Sequence, residues 1–434
     1  MHTDWLLLIF VHISLDLFCL IDLTIFVSIS IDLYRQSSFT PQEVFIVSAV
    51  RTPIGTLNGA LKSQTGVQLG TTAVKAAISR AGIEPSAVEE LYMGQVIQAG
   101  AGQSPARQVA LAAGCEASTD STTINKVCAS GMKAITLAAQ GMMLGGLGGS
   151  QKRGVVVAGG MESMSNAPFL VPRTVPGFGG FQTKDSVQTD GLWDVSNNFP
   201  MGNCAEHIAA KFSISRESQD EHALESYRRA AEAWSTGKFE AEIAPVTLKG
   251  PKGETVVAED EDYKKVIPSK VPTLKPVFQR EGGTITPANA SGINDGASAV
   301  VLMTGEKVQE HGVKPLAKIL GFADAAIAPI EFPIAPTVAI PIALKNAGVS
   351  ADDVALYEIN EAFSVVARAA EKILNIDPSK LNVNGGGVAL GHPIGSSGCR
   401  IVVSLVHALQ PGQIGVAGIC NGGGAATAVV IQRL

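Results

Sequence analysis

Charged and aromatic side chains are scarce in this sequence of 434 residues, at 17% and 5% of the chain. The formal net charge is −6, and no run rich in lysine and arginine occurs. Binding along a nucleic acid needs a concentrated basic face, so the composition argues against a nucleic-acid partner. Apolar residues make up 46% and glycines number 46, which is typical of an ordered globular protein whose helices pack closely on sheets.

Cys-x-x-Cys pairs are absent, which excludes the usual zinc-finger and dithiol redox motifs. The six cysteines are Cys19, Cys115, Cys128, Cys204, Cys399 and Cys420. An even number in a small secreted protein would indicate disulfides. This chain is long and lacks a clean signal peptide, so we expect reduced thiols, of which one or two are candidates for chemistry.

Basic residues are also missing ahead of the apolar segment at residues 5–31, and the first arginine is Arg35. A secretory signal and a mitochondrial presequence both need early positive charge, so both fit poorly. The segment is long enough to cross a bilayer, although Asp16 and Asp22 would each cost roughly 2.5–3.5 kcal/mol near its middle. Three interpretations stay open for residues 1–41, which we place outside the fold: a stretch foreign to the natural mature protein, a membrane anchor, or an unusual targeting segment.

Strand and helix patterns alternate over most of the remaining sequence. Residues 43–50 and 154–160 are apolar and rich in β-branched residues, as in buried strands, and residues 66–81 have helical spacing that ends at Gly82. The alternation returns later at four further segments, which are residues 297–303, 355–359, 381–387 and 414–420. This order predicts an α/β fold with helices covering both faces of the sheets.

The composition changes between residues 165 and 291, where loop-forming residues predominate around one amphipathic helical pattern at 215–234. We therefore predict two similar α/β halves with mixed sheets and an inserted loop-rich lobe. The N-terminal half covers 42–164 and is completed by about 292–311. The lobe covers 165–291, and the C-terminal half covers 312–434.

The first candidate for chemistry is a cysteine in NKVCASGMKAI (125–135). An apolar approach leads into Cys128, and residues 129–144 have helical spacing. A helix N-terminus stabilises a thiolate and lowers its pKa, and the small residues after Cys128 leave room for a substrate. Taken alone, a single cysteine is more often a buried core residue.

The second candidate is a histidine in GGGVALGHPIGSSG (385–398). His392 stands in a turn rich in glycine, which lets backbone approach a ligand closely, and a helix begins near 396. The imidazole could be the base that activates a cysteine. The alternative is a structural histidine in a turn.

Two further candidates follow strands. In GICNGGGAATAVV (418–430), Cys420 ends a strand and meets three glycines at a predicted strand-to-helix turn. In NEAF (360–363), Asn360 could donate a hydrogen bond to a ligand or a water. Taken alone, each also fits a structural role, as a core cysteine and as a turn or cap residue.

Together, in this order and at these separations, the four segments resemble the thiolase family, from about Glu43 to the C-terminus. Further matching stretches are VRTPIG (50–55), GQSPARQ (102–108), GGMESMSN (159–166) and NASGINDGA (289–297). The resemblance is closest to the short-chain, mitochondrial type. It implies the thiolase fold and the condensation of two acetyl-CoA molecules to acetoacetyl-CoA and CoA, or the reverse thiolysis, by ping-pong acyl-cysteine chemistry.

By the resemblance, Cys128 is the nucleophile, His392 takes its proton, and Cys420 is the acid/base at the α-carbon of the second acetyl-CoA. This division is chemically sensible, because carbon–carbon bond formation needs an acyl acceptor and a separate base for the α-proton. The resemblance also implies two oxyanion holes. One combines His392 with a water held by Asn360, and the other uses the backbone N–H groups of Cys128 and Gly422.

Coenzyme A, as a substrate and not as a covalently bound cofactor, is expected to lie across the inserted lobe. The implied CoA contacts are Tyr227, Lys265, Val266, Ile267, Lys270 and Ser291. The resemblance also implies a potassium ion, held mostly by backbone carbonyl oxygens, which suit a hard cation. Its ligands would be Tyr227, Ala288, Ala290 and Val388.

Three positions bear on substrate and ion preference within the family. Phe332-Pro333 resembles the pair linked in this subgroup to 2-methyl-branched acetoacetyl-CoA. Pro200 stands where the family often has a histidine near CoA, which puts pantetheine contacts there in doubt. Pro287 replaces a common alanine beside the ion site, which weakens the inference of potassium.

Other functions stay open at this point. Ketoacyl-ACP synthases and HMG-CoA synthases share the fold and the nucleophilic cysteine, but they lack a second catalytic cysteine in a turn like CNGGG. A thiolase of broader chain length fits the same motifs, whereas a non-catalytic binding or lipid-transfer protein should have lost one of the four candidate residues. A membrane-anchored scaffold is suggested only by residues 5–31.

The resemblance also gives expectations for location and assembly. We expect a mitochondrial protein, with the cytoplasm as the alternative, since the C-terminal QRL is not a peroxisomal Ser-Lys-Leu signal. A homo-oligomer, most simply a tetramer, is implied. A membrane partner is expected only if residues 5–31 insert.

Overall fold

The computed structural model describes residues 41–145, 152–174, 177–251 and 253–434. The apolar segment at 5–31, Cys19 and the interpretations of that segment lie outside these residues. The described part of the chain contains the α-helices α1 Gly66–Ala81, α2 Pro105–Ala113, α3 Ser130–Leu144, α4 Met201–Lys211, α5 Arg216–Ser235, α6 Gly305–His311, α7 Pro336–Ala347, α8 Ser364–Leu374, α9 Gly387–Leu390 and α10 Ser397–Ala408. Its strands are β1 Val44–Arg51, β2 Gly55–Thr56, β3 Glu90–Gly94, β4 Asp120–Ile124, β5 Val155–Ser163, β6 Phe169–Leu170, β7 Lys184–Asp185, β8 Trp193–Asp194, β9 Phe199–Pro200, β10 Val246–Gly250, β11 Gly253–Val257, β12 Asn294–Thr304, β13 Ala317–Ala326, β14 Val354–Ile359, β15 Ile414–Asn421 and β16 Ala425–Arg433.

Ten strands form one mixed sheet in the order β14-β15-β16-β13-β1-β12-β5-β3-β4, with β2 beside β12. Strands β1 and β13 share the pairs Phe45–Lys318 and Ile46–Ala317, whereas β12 and β5 pair over their whole length. The sheet therefore consists of two halves that meet at a short seam. This confirms the predicted α/β fold with mixed sheets, while the predicted domain boundaries stay predictions.

Three large apolar cores lie between the layers of helices and strands of the described residues, and a fourth, smaller cluster lies around Phe239. One joins α1 and α2 to the N-terminal half, and another joins α7 and α8 to the C-terminal half. The core between these two gathers α3, α10 and strands of both halves. Within the described residues, the stretch 127–144 is long and apolar enough to cross a membrane, yet 61% of it is buried in the protein. Helices α3 and α10 thus occupy the centre of the fold.

The strongest sequence patterns are confirmed by the structure. The segments at 43–50 and 154–160 form β1 and β5. Helix α1 begins after the capping residue Thr65 and ends at Gly82, whose φ of 71° is left-handed and suits glycine. The predicted lobe contains α4, α5 and three two-stranded sheets, in agreement with its loop-rich composition.

The segment at 381–387 is not a strand, contrary to the prediction. Leu381 makes one isolated bridge to Tyr357, and Asn382 takes a left-handed φ of 47°. The Asn382 side chain accepts from the N–H of Ile359 and donates to its carbonyl oxygen, both at 2.9 Å. Hydrogen bonds from the Asn382 side chain thus take the place of backbone pairing between strands. The chain can therefore turn here, ahead of His392.

The turn after Cys420 joins two strands, so the predicted strand-to-helix turn is wrong. Strands β15 and β16 are antiparallel, with Cys420 opposite Ala426. Gly423 and Gly424 reverse the chain at φ values of 89° and 82°, and the β-branched residues that follow continue as β16. Cys420 is therefore held inside a regular sheet.

Candidate active site

Cys128 lies in the turn between β4 and α3, close to where the prediction placed the start of a helix. The residue is 7% exposed. Val127 before it has a φ of 47°, a left-handed conformation that costs a non-glycine residue on the order of 1–3 kcal/mol. Helix α3 begins directly against β3, since a Cβ on Gly94 would lie 2.5 Å from the carbonyl carbon of Ser130. The turn is therefore both tight and strained.

The thiol of Cys128 is protonated at neutral pH. Burial raises its pKa to about 11, although hydrogen bonds from the backbone N–H groups of Gly422 and Cys128 oppose this shift. The negative charge of Glu162 raises the pKa further. The predicted lowering by the helix start is wrong, because lost hydration of the thiolate outweighs these hydrogen bonds. The contact with Gly422 does bring the two predicted oxyanion donors together.

His392 is buried and oriented by two hydrogen bonds. Its Nδ1 lies 2.6 Å from Ser397 Oγ, and that hydroxyl donates to the Pro393 carbonyl oxygen at 3.0 Å. The hydroxyl proton is therefore engaged, so Nδ1 carries the imidazole proton and Nε2 is free to accept one. The side chain of Asn360 donates to Nε2 at 3.4 Å. Burial lowers the pKa of His392 to about 3, with a smaller contribution from the positive charge of Arg400.

Cys420 lies close enough to Cys128 for their charges to interact. Burial is the main cause that raises the pKa of Cys420, and charge on Cys128 is the second. Neither thiol ionises easily while the other is charged. The arrangement therefore disfavours negative charge on both sulfurs at the same time.

A cavity of about 450 Å³ opens onto Cys128 and His392. Its apolar wall includes Met164, Met201, Phe278, Phe332, Phe363 and Ile394. The predicted specificity residue Phe332 is thus part of this wall, and Pro333 is buried next to it. Pro200 and Ser291 also line the cavity. The surroundings of the Cys128 thiol in this cavity are thus mainly apolar.

A second cavity of about 350 Å³ adjoins the first, since Ala290 and Gly292 line both. It gathers the remaining predicted CoA contacts, which are Tyr227, Lys265, Val266, Ile267 and Lys270. The structure therefore places the predicted acyl-CoA residues in two neighbouring cavities, one of which contains Cys128.

The predicted ion ligands also meet at the second cavity. Tyr227, Ala288, Ala290 and Val388 line it, and so does Pro287. Asp262 and Glu361 place negative charge near the Tyr227 hydroxyl and, after burial, raise its pKa. In the described ranges no group of three His, Cys, Asp or Glu side chains could hold a metal. The four predicted ion ligands thus share one cavity with Pro287.

Sequence reasoning assigned no role to Glu162, which the structure places at the centre of the site. Its buried carboxylate accepts N–H groups from Val96 at 2.9 Å, Ile97 at 3.2 Å and Gly395 at 3.0 Å. It thus ties the turn of His392 to the loop after β3. The sequence did contain one sign of this role, which is a glutamate near the end of the apolar strand β5. The structure shows that this strand is entirely buried.

Asn294 and Ser397 were also missed. The Asn294 side chain accepts the N–H of His392 at 2.8 Å, and Ser397 fixes the imidazole tautomer. Both residues belong to segments that match the family, but their roles depend on contacts between distant parts of the chain.

Comparisons with known proteins agree with this geometry. The family described as thiolase, N-terminal domain, matches residues 44–306, and thiolase, C-terminal domain, matches residues 313–433. Acetyl-CoA acetyltransferase, mitochondrial, of Mus musculus is 56% identical over 397 residues, covering 91% of this chain and 92% of the relative. Acetyl-CoA acetyltransferase B, mitochondrial, of Xenopus laevis is 56% identical over 407 residues, covering 92% and 95%.

Solved structures show the same similarity. The Acat5 thiolase of Ascaris suum in complex with coenzyme A has a TM-score of 0.86 at 50% identity, covering 91% of this chain and 100% of that one. The acetyl-CoA acetyltransferase of Bacillus anthracis has a TM-score of 0.87 at 40% identity, covering 92% and 100%.

Proposed function

Because the chain belongs to the thiolase family of acyltransferases, we propose that it is an acetyl-CoA C-acetyltransferase. It condenses two acetyl-CoA molecules to acetoacetyl-CoA and CoA, and it catalyses the reverse thiolysis. One observation carries the proposal: Cys128 and His392 line one cavity, with Asn360 bonded to His392 and Cys420 within electrostatic reach of Cys128.

Acyl transfer begins from a neutral pair. As Cys128 Sγ attacks the thioester carbonyl carbon of acetyl-CoA, its proton moves to Nε2 of His392. Proton transfer is coupled to attack, because separate ions are disfavoured by the high pKa of the thiol and the low pKa of the imidazole. The carbon–sulfur bond to CoA then breaks, and the CoA thiolate takes the proton of Cys420.

Condensation uses the thiolate that this step leaves on Cys420. The acetylated Cys128 cannot become a thiolate, so during this step it cannot raise the pKa of Cys420 by its charge. The Cys420 thiolate removes the α-proton of the second acetyl-CoA, and the resulting carbanion attacks the acetyl carbonyl on Cys128. Acetoacetyl-CoA leaves, and Cys128 recovers its proton from His392.

Negative charge develops on a thioester oxygen in both steps. The backbone N–H groups of Cys128 and Gly422 are the proposed donors for the acyl group on Cys128. His392, once it carries the proton from Cys128, and a water held by Asn360 are the proposed donors for the second acetyl-CoA. Loss of one such donor typically costs ~2.7–4 kcal/mol of transition-state stabilisation.

The test is an assay of the full chain for cleavage of acetoacetyl-CoA by CoA, with longer 3-ketoacyl-CoA and 2-methylacetoacetyl-CoA as alternative substrates. We expect acetoacetyl-CoA to be cleaved with the highest kcat/KM. Faster cleavage of longer chains would instead favour a 3-ketoacyl-CoA thiolase of broader range. Binding of acyl-CoA without any cleavage would favour a non-catalytic binding protein.

We also propose a mitochondrial location, a potassium requirement and a homotetramer. The location is supported by the names of the relatives, and potassium by the cavity that Tyr227, Ala288, Ala290 and Val388 share with Asp262. Subcellular fractionation, activity in potassium against sodium, and analytical ultracentrifugation test the three in turn. Deletion of residues 5–31, followed by measurements of solubility and activity, tests the membrane interpretation.

A further inference from the structure

Val127 has an unusual backbone conformation for its residue type. Among the described residues, the other non-glycine residues with positive φ are Asn58, Ser104, Asn198, Ser213, Asn375 and Asn382. Asparagine tolerates the left-handed region, whereas a β-branched residue there is a clear outlier. Val127 is the β-branched member of this set, and it directly precedes the nucleophile.

Two polar side chains hold both peptide groups of Val127. Its N–H donates to Asn125 Oδ1 at 3.0 Å. Its carbonyl oxygen accepts the Ser130 hydroxyl at 2.6 Å and the Ser130 N–H at 3.0 Å. The same hydroxyl oxygen accepts the N–H of Lys126 at 2.9 Å. Ser130 is fully buried, whereas Asn125 is exposed.

The conformation of Val127 determines where Cys128 points. A rotation of Val127 to negative φ would turn the peptide that carries the Cys128 N–H. It would also move the sulfur relative to the Gly422 N–H, which now donates to it. The Val127 side chain faces the same glycine, since a Cβ on Gly422 would lie 3.5 Å from Val127 Cγ1. Val127 therefore links the hydrogen bonds of Asn125 and Ser130 to the position of Cys128.

We propose that Asn125 and Ser130 are positioning residues, which keep Val127 left-handed and thereby fix Cys128 for acyl transfer. The inference rests on the proposed function, because the reaction to be positioned is attack by Cys128. It goes beyond that function by explaining how a strained residue next to the nucleophile is maintained.

The experiment compares the full chain with Ser130→Ala, Val127→Gly and the double variant. Glycine adopts the left-handed region without steric penalty, so it should not need the Ser130 hydroxyl. We expect Ser130→Ala to lower kcat roughly tenfold, equivalent to about 1.4 kcal/mol, with KM changed by less than about twofold. The double variant should recover most of that loss relative to Val127→Gly alone. Thr136→Val is the matched control, because it removes another buried hydroxyl of α3 that bonds within the helix.

A second readout needs no substrate. The rate at which iodoacetamide labels Cys128, measured against pH, reports the ionisation of the thiol. In Ser130→Ala its midpoint should rise, since the Gly422 hydrogen bond that favours the thiolate is disturbed, and in the double variant it should return. If the full chain shows no acyl transfer, the proposed function fails, while the labelling profile still decides the positioning role.

The same comparison can be made with Asn125→Ala, alone and combined with Val127→Gly. Because Asn125 is exposed, these variants test the positioning role even if Ser130→Ala does not fold. The proposal is overturned if the double variants are as impaired as the single Ser130→Ala and Asn125→Ala variants. It is also overturned if Ser130→Ala behaves like Thr136→Val in both kcat and labelling.

Discussion

The two cysteines of the site are held by opposite kinds of structure. Cys128 lies in an irregular turn before α3, next to the strained residue Val127, and its thiol faces the cavity. Cys420 lies in β15, with a regular partner in β16 and no exposed surface. The position of the Cys128 thiol thus depends on a strained turn, whereas the position of the Cys420 thiol depends on the pairing register of β15.

This difference matches the chemistry proposed for each residue. A nucleophile must reach a carbonyl carbon and then carry the acyl group, so it needs an open position at the tip of a turn. A group that only moves a proton needs a fixed distance and a controlled pKa. Regular sheet supplies the fixed distance, and burial beside Cys128 supplies the pKa control.

The largest predicted effect tests whether Cys128 alone carries the acyl group. Cys128→Ala should abolish labelling of the protein by radioactive acetyl-CoA and lower kcat by roughly 10⁴-fold or more. Cys115→Ala is the matched control, because Cys115 is a buried thiol in the core beside α1 and α2. A Cys128→Ala variant that still becomes acetylated would end the comparison, since the two cysteines would then share one role.

The next effect separates the second cysteine from the first. Cys420→Ala should lower the rate of condensation by roughly 10²–10⁴-fold, as expected for loss of a general acid/base. A single acetyl group should still be transferred to Cys128, although release of CoA slows. Rapid-quench measurement of the acetyl-enzyme distinguishes the steps, and equal loss of both would contradict the assignment.

A smaller effect concerns His392, the proposed base for Cys128. The pKa of His392 is lowered to about 3 by burial, against ~6.5 in an unfolded chain. Between these values the unfolded chain binds a proton that the folded chain does not, so His392 reduces stability as the pH falls below about 6.5. His392→Asn should therefore gain stability relative to the unmodified protein, by up to about 1.4 kcal/mol per pH unit, between pH 6 and 4. Urea unfolding at several pH values measures the difference in the free energy of unfolding between the two proteins. A difference that does not change with pH would refute the lowered pKa of His392.

The smallest predicted effect concerns the contact of the turn before Cys128 with the C-terminal half, which is made by the Lys126 side chain. The Lys126 ammonium donates to Asp324 and, at 2.8 Å, to Thr427 Oγ1. Both charges are partly exposed, so the pair contributes at most about 1 kcal/mol. Lys126→Ala should lower kcat by less than about fivefold. Lys318→Ala is the control, because it removes another surface ion pair of β13, the strand that carries Asp324. This control should leave kcat unchanged. Equal losses of kcat in the two variants would show that the ion pair of Lys126 has no specific role.

Patterns with a strong local cause were predictable from the sequence. The apolar run of β1 and the glycine that ends α1 need no knowledge of distant residues. The four candidate residues were singled out through their motifs. In the structure Cys128 and His392 line one cavity, Asn360 is bonded to His392, and Cys420 is within electrostatic reach of Cys128. What joins them could not be predicted, because Glu162, Asn294 and Ser397 act through contacts that bridge separate parts of the chain.

Three errors show where local reasoning fails. The segment at 381–387 looks like a strand until Asn382 replaces the ladder with its own side-chain bonds. The turn after Cys420 has the glycines of many turns, and only the pairing with β13 and β15 shows that a strand follows. The pKa of Cys128 depends on burial, which a sequence does not display, more than on the start of α3, which it does.

Strand β16 lies between β13 and β15 in the C-terminal half, and it follows the turn that carries Gly422. Strand β15 also pairs with β14 on its other side, so residues 425–433 complete the enclosure of Cys420 in the sheet. During synthesis the N-terminal half precedes this strand and is free to fold earlier. A nascent chain therefore contains Cys128 before Gly422 and Cys420 can be fixed beside it.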